Sequence, residues 1–239
     1  MSHYKTLKEE AWAANMEIPK RGLALYTWGN VSSFDPDRGV FAIKPSGVPY
    51  SDLKPNQMVV LDLDGTIVEG NLNPSSDTPT HRILYQNFNL NYKGEIRGII
   101  HTHSSNACAW AQACKEIPLF GTTHADHIQV PVPCTPCLSI EAVTKDYELE
   151  TGKLIIEIFK RNKFDPQKVP MVLVGGHGPF AWGATASQAV YNAAVLEEVA
   201  KMAILTLQAN PAATQLPSYI TQKHYLRKHG PNAYYGQDK

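Results

Sequence analysis

No apolar run in this 239-residue chain approaches the roughly 20 residues that a membrane helix needs. Its first residues, Met1-Ser2-His3-Tyr4-Lys5, lack the apolar segment of a signal peptide. A soluble, cytoplasmic protein is the expectation. An excess of one charge is missing too: 22 Lys and Arg balance 22 Asp and Glu, for a formal net charge of zero. With no basic tract present, neither nucleic acid nor a membrane surface is an expected partner. Cysteine is sparse. Four of them (Cys108, Cys114, Cys134, Cys137) in a chain this long do not make a disulfide framework. Cys134-Thr-Pro-Cys137 has CxxC spacing, but no second pair follows, so ordinary reduced thiols are expected. No internal repeat, low-complexity tract or linker divides the chain, and a single domain over 1–239 is expected.

What is present is a well-punctuated run of helices and strands. Thr6-Leu-Lys-Glu9 is a capping-box pattern, and Leu7, Ala11, Ala14 and Ile18 recur at helical spacing, so a first helix should end near Gly22. Residues 26–32 and 40–44 read as a hairpin leading into Pro45-Ser46-Gly47, a turn expected to leave backbone N–H groups exposed. Residues 58–70 read as a second hairpin turning at Asp64-Gly65. A polar loop over 71–77 precedes Thr78-Pro79, which opens a helix carrying Ile83, Leu84 and Phe88 inward. Further expectations are a helix over 106–114, a strand over 128–132, a helix over 151–162 and a buried strand over 171–174. The longest helix should span about 185–209 with Tyr191, Val195, Val199 and Met202 on one face. A last helix over about 217–229 stops at Gly230 and is followed by the aromatic tail Ala233-Tyr234-Tyr235-Gly236.

Chemistry concentrates at Ile99-Ile100-His101-Thr102-His103-Ser104. The two β-branched residues read as the end of a buried strand. Alternation then points His101 and His103 to one side, with backbones about 6.6 Å apart, so two imidazoles can converge on one ion. Ser104 can cap the helix that follows. An isolated His-x-His is more often a pair of surface histidines. Here the strand over 171–174 ends in Gly175-Gly176-His177-Gly178, whose glycines allow tight turning and close approach of a ligand. Three imidazoles make the set of a catalytic divalent-metal site with at least one open position.

A competing motif lies in the second hairpin. Val60-Leu-Asp62-Leu-Asp64-Gly-Thr66 resembles the DxDGT signature of haloacid-dehalogenase-type phosphatases, in which the first Asp is the nucleophile. In this chain some sixty residues precede it, an apolar strand follows immediately and no Asp-Asp pair of the Mg²⁺-binding kind comes later. A turn accounts for it.

The longer motifs resemble the class II aldolase/adducin superfamily, most closely its L-ribulose-5-phosphate 4-epimerase branch. They are Thr27-Trp-Gly-Asn-Val-Ser32, Ile43-Lys-Pro-Ser-Gly-Val48, Pro74-Ser-Ser-Asp-Thr-Pro-Thr-His81 and Ile100-His-Thr-His103. Gly121-Thr-Thr-His-Ala-Asp126, His177-Gly-Pro-Phe-Ala-Trp-Gly183 and Lys223-His-Tyr-Leu-Arg-Lys-His-Gly230 with the aromatic tail extend the likeness over nearly the whole chain. Gly175-Gly176 departs from the family, which has polar or His residues there, and this alters what orients His177.

The resemblance implies an α/β fold of three layers, α/β/α, around a central, mostly antiparallel sheet. It implies a homotetramer in which the tail, 217–239, serves a neighbouring subunit's site. It implies Zn²⁺ on His101, His103 and His177 with Asp77 as a further ligand; many aldolases have a Glu base at that position, so Asp favours the epimerase branch. Asn30, Lys44, Ser46, Gly47, Ser75 and Ser76 would grip a substrate phosphate, a task that suits an ammonium, hydroxyls and turn amides. The implied substrate is a phosphorylated ketopentose, on a pentose route such as arabinose catabolism. The C3–C4 bond would break and re-form, with a Lewis acid stabilising the charge left on the three-carbon fragment. Asp126 and a neighbour's Tyr235 would handle the proton on either side of the aldehyde oxygen; packing alone does not separate Tyr235 from Tyr234. Thr122, His224 and Arg227 are secondary candidates. The alternatives are an aldolase of the L-fuculose-phosphate type, which would release its fragments, a metal-free binding head like that of adducin, and the phosphatase.

Overall fold

The computed structural model describes residues 2–91 and 96–236. Residues 237–239 of the expected C-terminal tail, and Met1, lie outside the described residues.

The strands β1 (Asn30–Asp35), β2 (Val40–Ile43), β3 (Val59–Asp62), β4 (Ile67–Glu69), β5 (Gly98–His101), β6 (Met171–Leu173) and β7 (Pro179–Gly183) form one sheet in the order β4-β3-β2-β1-β5-β7-β6. Every pairing between these strands is antiparallel. The central strands are buried on both faces, and period-2 alternation divides their side chains between two cores. Val31, Val40, Ala42, Val60, Ile100 and Ala181 face the layer of α1 (Lys5–Lys20), α3 (Ser105–Gln112) and α7 (Ala186–Ala209). Phe41, Ile43, Val59, Leu61, Ile99, Phe180 and Trp182 face α2 (Thr78–Asn91) and α6 (Tyr147–Asn162). The result is the expected α/β/α arrangement. Short helices α4 (Thr122–Ala125) and α5 (Ile140–Lys145) and the terminal α8 (Ser218–His229) complete it.

The second hairpin turns where the Asp-Gly pair indicates, with Gly65 at φ +93. Asp62 Oδ1 accepts from the backbone N–H groups of Asp64 (3.0 Å) and Thr66 (2.8 Å). Asp62, the nucleophile of the competing phosphatase motif, is therefore the acceptor that shapes a turn.

Several local expectations need correction. Thr6 caps nothing: α1 starts at Lys5, and its N-cap Tyr4 makes no side-chain cap bond. The first strand begins at Asn30, since Tyr26 (φ 52) and Gly29 (φ 78) break extended backbone before it. The Ser46 amide is not free; it donates to Asn73 O at 2.9 Å. Residues 128–132 make only an isolated bridge, Ile117 to Val132, because Pro131 and Pro133 remove the donors a ladder needs. The helix over 151–162 begins a turn earlier, where Asp146 accepts from Leu149 N at 3.1 Å. On α7 the anticipated face is only partly inward: Tyr191 and Met202 are exposed, while Ala189, Ala193, Leu196, Ala200 and Ala203 are buried. Small residues win that face because the helix lies close on the sheet, where Gly183 leaves no room for a side chain beside Gln188 and Ala189.

Ser104 is the N-cap of α3 in backbone geometry, but its hydroxyl makes no cap bond. Glu197 of α7 does that work, accepting from Asn106 N (3.0 Å) and Ala107 N (2.9 Å). A carboxylate at the positive end of a helix satisfies amides that would otherwise lack partners.

Candidate active site

The sheet ends where its central strands expose their last side chains. Asn30 on β1 lies opposite His101 on β5 in the register, so these two share one end of the sheet. His103 follows just past the end of β5, and His177 comes from the turn between β6 and β7. Gly178 holds that turn against β5: a Cβ there would sit 3.0 Å from Thr102 O and 3.4 Å from His101 Cε1.

The three histidines meet. Ring centroids lie 4.8 Å apart for His101 and His103, 4.7 Å for His101 and His177, and 5.2 Å for His103 and His177. One nitrogen from each lies within 4.8 Å of the other two, and among the described residues this is the only such His, Cys, Asp or Glu group. His101 Nδ1 is 2.9 Å from Pro179 O, so that nitrogen donates and leaves the Nε2 lone pair facing the cluster. His101 Nε2 and His103 Nε2 stand 3.0 Å apart. Two ligands on one tetrahedral ion at ~2.0–2.1 Å would stand roughly 3.3 Å apart, close to that spacing. His177 Nδ1 is buried with no hydrogen-bond partner. Burial pushes the pKa of His101 down to about 4, and it lowers those of His103 and His177 as well. Burial thus favours the neutral imidazole in all three, the form that binds a metal ion.

Around them is a cleft of about 400 Å³, of the size class that holds small ligands. Asn30, Lys44, Ser46, Gly47, Ser75, Ser76 and Asp77 all line it, so the residues expected to grip phosphate do converge beside the histidines. Lys44 is 2 % exposed, and burial pushes its pKa down to about 8. Its Nζ lies 5.2 Å from the Tyr50 ring centroid. Asp77 stands outside the histidine cluster, with Oδ2 accepting from Asn30 Nδ2 at 2.6 Å. Burial works to raise its pKa, but the histidines and the Asn30 amide outweigh that and lower it. Asn30 thus spends its amide on Asp77, and its Oδ1 is buried without a partner.

Trp28, met in the sequence only as part of a longer motif, also lines the cleft, as do Tyr147 and Glu148, which went unread there. Trp28 is half exposed at the mouth, 6.2 Å from the His103 ring, and the Tyr147 ring is 5.8 Å from that of His177. The Asp146 cap was the signal that could have brought the last two in. His81 also matters: it is fully buried, its Nδ1 lies 2.7 Å from Ser32 Oγ, and its Nε2 has no partner.

Asp126 and Tyr235 lie elsewhere in the chain and do not line this cleft. Asp126 is held by Arg227 (Nη2 at 2.6 Å, Nε at 3.0 Å) and His224 (Nδ1 at 3.0 Å). Burial works to raise its pKa, but Arg227 and His224 prevail and lower it. The Tyr235 ring packs under Arg227 at 5.0 Å and Lys228 at 4.4 Å, so the two groups share one patch on α8. Thr122 is exposed at the start of α4, where its carbonyl accepts from Asp126 N at 2.8 Å, and it does not line this cleft. A larger hollow of about 770 Å³, beside α1 and residues 55–57 and 69–72, gathers no comparable chemistry, since its Lys8 is paired with Glu69 at 2.8 Å.

Comparison with known proteins agrees with this geometry. The family model described as Class II Aldolase and Adducin N-terminal domain matches residues 9–204. The chain is 52 % identical over 231 residues to the L-ribulose-5-phosphate 4-epimerase UlaF of Salmonella paratyphi C (strain RKS4594), covering 97 % of this chain and 98 % of that one. It is 51 % identical over the same span to the protein of that name from Salmonella paratyphi B. Among solved structures, an L-fuculose 1-phosphate aldolase superposes with a TM-score of 0.76 at 24 % identity, covering 94 % of this chain and 95 % of that one. YgbL of Escherichia coli, titled a putative aldolase/epimerase/decarboxylase, superposes with a TM-score of 0.71 at 24 % identity, covering 93 % and 99 %.

Proposed function

We propose, for a chain that belongs to the class II aldolase and adducin family, that it is an epimerase interconverting L-ribulose 5-phosphate and D-xylulose 5-phosphate. The observation that carries this is the meeting of three imidazoles with a buried lysine and serine hydroxyls in one cleft. The name of the 52 % identical relative supports the substrate.

His101, His103 and His177 would hold a divalent ion; zinc suits three imidazoles and an open fourth position. Such an ion supplies Lewis acidity for the negative charge left when the C3–C4 bond breaks. The chain does the rest. Lys44 and the hydroxyls of Ser46, Ser75 and Ser76 bind the phosphate, which fixes the position of the aldehyde fragment while it turns its other face. Trp28 and Tyr147 wall the cleft and limit water. Asp77, a cleft carboxylate held low in pKa, would offset the ion's positive charge from beside the histidines and would be the further ligand if drawn to the open position.

Inversion at C4 needs a proton donor or acceptor on each side of the aldehyde oxygen. We assign these roles to Asp126 and to Tyr235 of a neighbouring copy in a homotetramer acting in the cytoplasm. Within one chain neither reaches the cleft, while Tyr235 is exposed on the tail, which supports supply from another subunit. Among the described residues no helix is long and apolar enough to cross a membrane.

The test is incubation of the zinc-loaded protein with L-ribulose 5-phosphate. D-xylulose 5-phosphate is expected to accumulate without free fragments. Release of glycolaldehyde phosphate as the main product would make the protein an aldolase instead. His103→Asn is expected to lower both zinc content and rate by about a hundredfold or more, since even residues behind a ligand are worth ~10–100-fold.

A further inference from the structure

Cys114 and Cys137 are both exposed, and their sulfurs lie 3.3 Å apart. They come from different segments. Cys114 closes the end of α3 with a left-handed backbone (φ 52), a conformation uncommon for a residue with a side chain. Cys137 ends the extended piece that begins at Cys134, which bridges to Leu173 of β6.

The segments that carry both cysteines hold the turn before His177. The Ala111 carbonyl accepts from Cys114 N at 3.0 Å and from Gly176 N at 2.8 Å. On the other side, Gly175 N donates to Thr135 Oγ1 at 3.0 Å, and a Cβ on Gly176 would lie 3.3 Å from Cys137 Sγ. Cys134 takes no part: its Sγ donates to Thr135 O at 3.4 Å, and burial pushes its pKa up to about 12. Nor do the sulfurs make a second metal site, for among the described residues only the histidines converge closely enough.

We propose that Cys114 and Cys137 are a hydroperoxide-sensitive dithiol whose closure to a disulfide distorts the Gly175-Gly176 turn and loosens the hold of His177 on a metal ion. The second half rests on the metal site proposed above; the first does not. One of the two hydrogen-bonded thiols attacks as its thiolate, with Cys114 taken first. Its sulfur displaces one peroxide oxygen from the other, forming an S–O bond; the departing oxygen takes a proton and leaves as water or an alcohol. Cys137 then attacks the oxidised sulfur of Cys114, the S–S bond forms, and the hydroxyl leaves as water with the Cys137 proton. Two electrons pass from the two sulfurs to the O–O bond. A disulfide is about 2.0 Å long, so the sulfurs must close by roughly 1.3 Å. The links of their segments to Ala111, Thr135 and Gly176 carry that movement to the turn.

The test is hydrogen peroxide treatment of the full-length, zinc-loaded protein, with peptide mapping and a zinc titration before and after. A linked Cys114–Cys137 peptide is expected, resolved by dithiothreitol and missing from Cys114→Ser and Cys137→Ser. Zinc affinity of the oxidised protein should fall by about tenfold, the scale of a disturbed ligand support, and Cys114→Ser should keep its affinity under the same treatment. Sulfinic acids without a link, or a link through Cys134 or between chains, would overturn the dithiol. A correct link with unchanged zinc affinity would overturn its coupling to His177. Failure of the reduced protein to bind zinc would instead remove the metal site, with the mapping still deciding the dithiol.

Discussion

Lys44 shows how much one buried side chain can set. Its folded pKa is pushed down to about 8 by burial, so its ammonium is present below that pH and lost above it. If it grips the phosphate, kcat/KM should fall as pH rises through about 8, chiefly through a rising KM. A pH series on the wild type and Lys44→Met checks this: the variant should be weak throughout and lack that limb. Asp62→Asn gives the opposite kind of result. Its Oδ1 serves the turn and an amide oxygen can replace it, so activity should stay within about twofold, since surface changes of this sort cost roughly 0.5 kcal/mol or less. Loss of turnover in Asp62→Asn would revive the phosphatase. The three histidines were legible as a set because strand ends and glycine turns mark them in sequence. Tyr147 and Glu148 were not, because the start of α6 depends on an Asp146 cap just after another short helix.

Among the elements, α3 illustrates a helix end stabilised from far along the chain. Glu197 is 91 residues from Asn106, yet it takes two amides of the first turn. Glu197→Ala should destabilise the protein by about 1–2 kcal/mol, the usual worth of a cap, as a lower urea midpoint at unchanged m. Ser104→Ala, by contrast, should cost less, since its hydroxyl makes no cap bond and accepts only a long one, 3.4 Å, from Thr102 Oγ1. A similar long-range tie joins α1 to β1. Asn15 Nδ2 donates to Val31 O at 2.8 Å, and its Oδ1 accepts from Val31 N at 2.9 Å, one residue from Asn30. Asn15→Leu would strand two buried backbone groups at about 1–3 kcal/mol each, and thermal melting should show it. Neither tie has a local signature, because the partners meet only after the sheet has formed.

For the whole molecule the open matter is what lies beside each cleft. Asp126 and Tyr235 share a patch on α8, apart from the histidines of their own chain. If sites are shared between copies, His103→Asn and Tyr235→Phe should each be nearly inactive alone. Unfolded together and refolded as mixed oligomers, they should recover about a quarter of wild-type activity, half times half of the neighbour pairs being intact. Absence of recovery would place both residues in one subunit's service. The sequence by itself determined the alternation that splits the strands between two cores, the Asp-Gly turn and the glycine-flanked third histidine, because each follows from local steric rules acting on neighbouring residues. Only the tertiary structure decided that His101, His103 and His177 face one point, that Ala residues rather than Tyr191 and Met202 seat α7, and that Arg227 claims Asp126. Those outcomes depend on which surfaces close against each other, and distance along the chain carries no information about that.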